Sequence, residues 1–193
     1  TIDDGFKSFY DQAWPILKKE KIPFILFINT REVGTRGYMN WAQIKEISKE
    51  NFAHIGNHSH THEYLIDMKT QEIIDDINLA ISHFKKNLGY NSSFFSYPFG
   101  EYSNNFKTII KNLGFKYAFG QHSGVTDETK DFYELPRFPI KALILPTISP
   151  PINGTTLPNN TSCTIGVNPW ALIWCPTSWA NMPMSGASPL TFT

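Results

Sequence analysis

Four segments in the first part of the chain carry apolar side chains every three or four positions, which is typical of helices with one buried face. They are residues 6–17, 40–47, 70–88 and 103–113. Asn40 and Ser103 stand where N-cap residues are expected, and Gln43 completes a capping box with Asn40. Gly89 and Gly114 follow the last two segments as stop signals. The pattern therefore predicts four helices, three of them with defined ends.

Short and almost wholly apolar runs lie between these helices and have the length of buried strands. They cover residues 22–28, 52–57, 94–97 and 115–119. Strands that alternate with helices predict an α/β fold with a parallel sheet and the helices outside it. The pattern alone fits either an open sheet or a barrel. In a barrel, functional residues lie where strands end and loops begin.

The segment from residue 141 to residue 193 has a different character. Lys141 is its only charged residue, and 8 of the 13 prolines of the chain fall here. Short β segments separated by turns fit this sequence, as in an accessory β domain. Its low charge indicates either that the segment packs against a partner or that charged loops are missing from the sequence. Cys163 and Cys175 are as compatible with a disulfide as with two buried free thiols.

The charge balance of the chain excludes some classes of function. Lysine and arginine together number 17, as do aspartate and glutamate, so the formal net charge is zero. We therefore expect neither nucleic-acid binding nor a basic membrane-binding surface. There is no apolar run long enough to cross a membrane and no visible signal peptide. The opening residues 1–5 are typical of the end of a strand, so we expect that the first strand is truncated and that the sequence is a fragment, from which a targeting segment could have been lost.

Two groups of residues carry the chemistry that a metal site needs. Asp3 and Asp4 are adjacent carboxylates at a strand end, where one can bind a metal while the other faces a substrate. Residues 58–62, His-Ser-His-Thr-His, hold three of the six histidines of the chain. A helical turn would put His58 and His62 on one face, whereas an extended strand would align all three histidines. We interpret Asp4 with this histidine cluster as a candidate metal site.

Three later loop segments contain weaker candidates. Residues 96–100, Ser-Tyr-Pro-Phe-Gly, fit either a simple turn or a set of backbone N–H groups aimed at a reacting oxygen. His122 lies in a loop between two glycines and fits either a site or a solvent-exposed position. Arg137 stands between apolar residues and prolines, which suggests a guanidinium held against a carboxylate.

In this order, the motifs resemble the polysaccharide deacetylases of the NodB-homology group, carbohydrate esterase family 4. Residues 1–5 look like that family's first motif, residues 58–62 match its second motif, and residues 95–100 are similar to its third motif with changes. The Tyr-Pro-Phe-Gly sequence at residues 97–100 looks closest to the subgroup that acts on poly-β-1,6-N-acetylglucosamine. The resemblance covers roughly residues 1–140 and implies an irregular (β/α)7-type barrel.

The resemblance also implies roles for individual residues. Asp3 would be the general base, and the backbone N–H of Phe99 would stabilise the oxyanion. The metal ligands would be Asp4, His58 and His62. Two imidazoles and a carboxylate suit Zn²⁺, with iron, cobalt or nickel as alternatives.

Two departures from the family pattern affect the catalytic residues. The arginine of the third motif, which pairs with the base in the family, is replaced by Ser96, and we expect Arg137 to take its place. The late Leu-x-His motif that supplies the general acid has no clear match. His122 is the only histidine after His83, so the resemblance leaves it as the candidate acid.

The function that this resemblance implies is metal-dependent removal of acetyl groups from an N-acetylated polysaccharide or oligosaccharide outside the cytoplasm, in the periplasm, at the cell surface or after secretion. Two alternatives remain open on the sequence. One is a hydrolase of a small non-sugar amide. The other is a carbohydrate-binding module that kept the metal ligands and lost the acid. The sequence does not determine the oligomeric state.

Overall fold

The computed structural model describes residues 1–126 and 131–138. Four parallel strands form one sheet in the order β1-β2-β3-β4. The strands are β1 (Phe24–Ile28), β2 (Ala53–Asn57), β3 (Phe94–Ser96) and β4 (Tyr117–Phe119). The predicted parallel sheet is confirmed. Each strand is shorter than predicted at one end; for example, β1 begins only after Pro23, and Ile22 before it is 39% exposed.

The helices lie between the strands in the chain. A π-helical segment (Phe9–Ala13) continues into α1 (Trp14–Glu20), and α2 (Trp41–Ile47), α3 (Thr70–Leu88) and α4 (Asn104–Asn112) follow, with short 3-10 turns at Leu65–Asp67 and Pro98–Gly100. The predicted Asn40–Gln43 capping box is present in both directions. Ser103 Oγ caps α4 through the backbone N–H of Phe106. The sequence signals therefore predicted where these helices begin.

Alternating side chains of the strands build two separate apolar layers. In β1, Leu26 and Ile28 pack toward α1 and α2, whereas Ile25 and Phe27 face the other side. The inner layer consists entirely of residues from β1, β3, β4 and the segment around residue 135: Ile25, Phe27, Phe94, Tyr117, Phe119 and Leu135. The rings of Phe27 and Phe119 lie 5.4 Å apart although β1 and β4 are not neighbours in the sheet. The sheet is therefore curled around this inner layer.

Two further segments extend the sheet at its edges. Ile2 forms a parallel bridge with Leu26 of β1, and Leu135 forms a parallel bridge with Phe119 of β4. The two edges meet through Arg137, which donates hydrogen bonds to the Asp3 carboxylate. This arrangement is that of a curled α/β sheet with its helices outside, as predicted for an irregular barrel. The expected total of seven strands stays a prediction.

The predicted C-terminal extension, residues 141–193, lies outside the described residues, as do Cys163 and Cys175. Within the described ranges, no helix is both long enough and apolar enough to cross a membrane.

Candidate metal centre

The candidate residues gather at the carboxyl ends of the strands, around one cavity of about 430 Å³. Parallel strands present their carboxyl ends at the same edge, so residues that are distant in sequence meet there. The cavity is lined by Asp3, Asp4, Phe6, Asn29, Glu32, Tyr38, His58, Thr61, His62, Phe99 and Gln121. Five of the seven residues singled out in the sequence are among them.

Asp4, His58 and His62 converge on one point. Asp4 Oδ1 lies 3.7 Å from Nε2 of His58 and 3.5 Å from Nε2 of His62. One ligand atom from each of the three residues falls within 4.8 Å of the other two. Asp4 Oδ1 is buried and has no hydrogen-bond partner in the part of the chain that the structure describes. A buried carboxylate oxygen without a partner is costly, unless a cation binds it.

The two imidazoles are oriented and tuned by their surroundings in ways that suit metal ligation. Nδ1 of His58 lies 2.7 Å from the carbonyl oxygen of Ser96, and a carbonyl can only accept, so Nδ1 donates this hydrogen bond and Nε2 is the nitrogen directed toward Asp4. Burial, together with the nearby His58, lowers the pKa of His62 to about 4, so its ring is neutral at pH 7. For Asp4, burial raises the pKa above its ordinary value, with His58 opposing that rise.

These donors fit a divalent metal ion. Two atoms that bind the same Zn²⁺ at about 2.0–2.1 Å can be at most about 4.2 Å apart. The two separations from Asp4 Oδ1, 3.5 and 3.7 Å, fall inside that limit. Two imidazoles and one carboxylate are a donor set of catalytic zinc sites, in which a further position is open to water or substrate. The same donors also accept iron, cobalt or nickel.

The backbone around the centre is unusual. Asp4, Ser59, His62 and Phe99 are four of the five non-glycine residues with positive φ in the described chain. Such conformations are unfavourable for residues with a Cβ and concentrate at functional sites. Residues 58–62 therefore form neither of the two alternatives considered from the sequence, a helical turn or an extended strand. They form an irregular turn in which left-handed residues bring His58 and His62 together.

Asp3 and Arg137 form a buried ion pair next to the metal ligands. Arg137 is 0% exposed and Asp3 is 3% exposed. Nη1 of Arg137 donates to both carboxylate oxygens of Asp3, at 2.7 and 2.9 Å, and Nη2 donates to Ser96 Oγ at 3.1 Å. Burial alone raises the pKa of Asp3, but Arg137 and then His58 outweigh it, so the pKa lies below its ordinary value. Arg137 thus contacts the carboxylate that the sequence analysis expected it to reach.

Phe99 lies at the mouth of the cavity. It follows β3 at the tip of the Pro98–Gly100 turn, and the residue is 49% exposed. Its ring packs 4.9 Å from that of His62 and 5.7 Å from that of Tyr64. The predicted use of its backbone N–H stays a prediction.

His122 lies beside the cavity and not among its lining residues in the described part of the chain. Its neighbour Gln121 lines the cavity instead. His122 is exposed, its ring lies 6.1 Å from that of Tyr102, and its carbonyl oxygen accepts a hydrogen bond from the backbone N–H of Arg137. The role of His122 as an acid stays a prediction.

The sequence analysis missed several residues of the cavity wall. Asn29 directly follows β1, so the strand-end rule would have found it. Glu32 and Tyr38 lie in the irregular connection from residue 29 to residue 40, where no periodicity marks a direction. The ring of Tyr38 packs 5.0 Å from that of Phe6 and forms an aromatic side of the cavity.

The chain is similar to several known proteins. Residues 1–118 match the polysaccharide deacetylase family. A poly-β-1,6-N-acetyl-D-glucosamine N-deacetylase of Staphylococcus aureus (strain MRSA252) is 32% identical over 151 residues, covering 71% of this chain and 52% of the relative. The chain therefore spans about half the length of that relative.

Solved structures resemble the fold. IcaB from Ammonifex degensii matches with a TM-score of 0.69 and 26% identity over 72% of this chain and 66% of that one. The Streptococcus pyogenes deacetylase PplD, solved in complex with acetate, matches with a TM-score of 0.67 and 23% identity over 70% of this chain and 60% of that one. The second likeness concerns the fold alone.

Proposed function

Because this chain belongs to the polysaccharide deacetylase family, we propose that it hydrolyses the N-acetyl amide of an N-acetylglucosamine-containing polysaccharide and releases acetate. The observation that carries the proposal is the convergence of Asp4, His58 and His62 beside the buried Asp3–Arg137 pair. A substrate linked through β-1,6 bonds is supported by the name of the Staphylococcus relative. The relatives thus support the class of polymer, and the site supports the chemistry.

Asp4, His58 and His62 would hold the divalent ion, with Zn²⁺ as the first candidate. When bound, such an ion polarises the acetamide carbonyl and makes water more acidic. Asp3 then accepts the proton of the attacking water. Arg137 keeps the Asp3 carboxylate ionised and fixes its orientation through two hydrogen bonds. These residues separate the two tasks of binding the ion and moving the proton.

The remaining steps use residues at the rim. The backbone N–H of Phe99 donates to the oxyanion that develops on the acetyl carbonyl. His122 donates a proton to the departing sugar amine, since it follows β4 at the same edge of the sheet as the metal centre. The aromatic rings of Phe6, Tyr38 and Phe99 line the cavity and suit the apolar faces of sugar rings. From the family resemblance we infer that this reaction takes place outside the cytoplasm, in the periplasm, at the cell surface or after secretion.

A non-catalytic carbohydrate-binding module is the second candidate. It is favoured by one observation, that the ring of His122 lies toward Tyr102 while Gln121 lines the cavity. Binding of an N-acetylglucosamine oligomer without release of acetate would identify such a module. Release of acetate from small amides but from no sugar would instead identify a small-amide hydrolase.

Two variants test whether the general base and the metal ligands are separate residues, as proposed. Asp3→Asn removes the base and keeps the three metal ligands, so we expect bound zinc to be retained and acetate release to fall by about 10²–10⁴-fold. His58→Ala removes a ligand, so we expect zinc and activity to be lost together. Zinc content by elemental analysis and acetate release from an N-acetylglucosamine oligomer are measured on the same samples.

Asp67→Asn, an exposed carboxylate on the short turn before α3, is the control and should keep both properties. Near-wild-type acetate release by Asp3→Asn would overturn the assignment of the base. Full zinc retention by His58→Ala would overturn the ligand assignment.

A further inference from the structure

We propose that Asp76, on the face of α3 next to the turn of residues 58–62, is a positioning residue. It holds this turn in the shape that lets His58 and His62 bind the same metal ion. The inference rests on the proposed metal centre. It adds a residue from outside the sequence motifs, 14 positions after His62 and on a different element. Asp76 has no contact with the proposed ion and acts only through the turn.

Asp76 contacts the residues that lie between the two histidine ligands in the sequence. Its Oδ1 accepts the backbone N–H of His60 at 2.8 Å. Its Oδ2 accepts both the backbone N–H of Thr61, at 3.1 Å, and the hydroxyl of Thr61, at 2.7 Å. One carboxylate therefore satisfies three donors of a single turn. An ionised carboxylate is suited to this task because it only accepts hydrogen bonds.

The turn needs such external support because its own backbone is strained. Ser59 and His62 have φ values of 66° and 56°, in the left-handed region that residues with a Cβ avoid. The hydrogen bond from the His62 N–H to Ser59 Oγ is internal to the turn and cannot anchor it to the rest of the fold. Asp76 anchors the turn to α3, which is packed on the sheet through Ile73 and Ile77. On the other side of the turn, the backbone N–H groups of Thr30 and Arg31 donate to the carbonyl oxygens of Ser59 and His60.

A second contact from the same helix reaches the turn. The ring of His83 stacks on the ring of His60 at 5.3 Å with an interplanar angle of 18°. Asp76 and His83 are seven residues apart, which is two helical turns and places them on one face. The face of α3 that carries both residues therefore contacts the middle of the turn, His60 and Thr61. The ends of the turn, His58 and His62, supply the metal ligands.

Asp75 offers a matched control. It is the preceding residue of α3, it is exposed, and the described residues give it a hydrogen bond from its helical neighbour Gln71. Asp75→Asn therefore changes charge and helix propensity as Asp76→Asn does, without touching the turn. In Asp76→Asn, the carboxamide NH₂ replaces an acceptor and opposes the N–H groups of the turn.

The test is the zinc affinity of the full chain, measured by competition with a chromophoric chelator, for wild type, Asp76→Asn and Asp75→Asn. Outer-shell partners of metal ligands contribute about 10–100-fold to affinity. We expect Asp76→Asn to bind zinc about 10–100-fold more weakly and Asp75→Asn to match the wild type. Chemical unfolding of the metal-free proteins is measured in parallel, so that a folded but weakly binding variant is distinguished from an unfolded one.

Wild-type affinity in Asp76→Asn would overturn the proposal. If the unfolded fraction of metal-free Asp76→Asn accounts for its loss of affinity, Thr61→Val decides, because it removes only the hydroxyl donor to Asp76. Weaker zinc binding by Thr61→Val would then support the proposal, and unchanged affinity would overturn it. Failure of the wild type itself to bind zinc, iron, cobalt or nickel would refute the metal centre and hence the proposed function, a result distinct from the two above.

Discussion

At the scale of single residues, the pairing of Asp3 with Arg137 is the most informative feature. The third motif of the family resemblance carries an arginine where this chain has Ser96. Ser96 Oγ accepts a hydrogen bond from Arg137. The guanidinium of Arg137 therefore lies next to the position at which the family motif has its arginine. Arg137 Nε also donates to the carbonyl oxygen of Gly120 at 2.6 Å. These bonds orient the guanidinium toward Asp3.

Removal of the guanidinium should therefore affect both folding and catalysis. Arg137→Met leaves the buried Asp3 carboxylate without its cationic partner, and breaking a buried pair in this way costs about 3–5 kcal/mol of unfolding free energy. Arg137→Lys keeps the charge but loses the fork geometry, so we expect it to fold, to bind zinc and to release acetate more slowly than wild type. Urea unfolding and steady-state acetate release measure the two effects.

Arg31→Met is the control, since Arg31 pairs with Glu63 at 3.5 Å while both side chains are more than half exposed. We expect a change within about 0.5 kcal/mol for this surface variant. Equal stability and equal turnover in wild type and Arg137→Lys would show that the pair has no role in orienting the base.

At the scale of elements, the sequence predicted what depends on local signals. Helix α3 begins and ends as expected, because periodic isoleucines mark its buried face and Gly89 adopts a left-handed φ of 83° at its end. The turn at residues 58–62 could not be predicted in the same way. Its shape depends on contacts from α3. Its left-handed residues, Ser59 and His62, are not glycines, so nothing in the sequence indicates their conformation.

The packing between β1 and β2 depends on a single small residue. Gly56 lies opposite Phe27 in the sheet register, and a Cβ at position 56 would overlap the ring of Phe27. That ring also contacts Phe119 and lies 6.5 Å from the ring of His58. A larger residue at position 56 would therefore displace the Phe27 ring within the inner layer, where it packs beside Phe119 and His58.

We expect Gly56→Ala to lower the unfolding free energy by about 1–3 kcal/mol through this overlap. A second substitution, Phe27→Leu, makes room for the new methyl group, so the double variant should lose less stability than the sum of the two single variants. Thermal and urea unfolding of the four proteins form the cycle. Simple additivity would mean that Gly56 is required for a reason other than the Phe27 ring.

At the scale of the whole molecule, the site depends on the curling of the sheet. The segments around Ile2 and Leu135 extend opposite edges of the sheet, and Arg137 joins them by its bonds to Asp3. Periodicity predicted the parallel strands but could not choose between an open sheet and a barrel. That choice is made by contacts between distant residues, such as Phe27 with Phe119. The family resemblance supplied the expectation that the residues alone left open.

The central claim is that the centre of Asp4, His58 and His62 makes this chain a metal-dependent deacetylase. The measurement that tests it most directly is acetate release from a β-1,6-linked N-acetylglucosamine oligomer, before chelation, after chelation and after metal is restored. We predict that release stops with the chelator and returns with zinc, iron, cobalt or nickel. Release that continues unchanged in the metal-depleted protein, or no release with any of these metals, would contradict the claim.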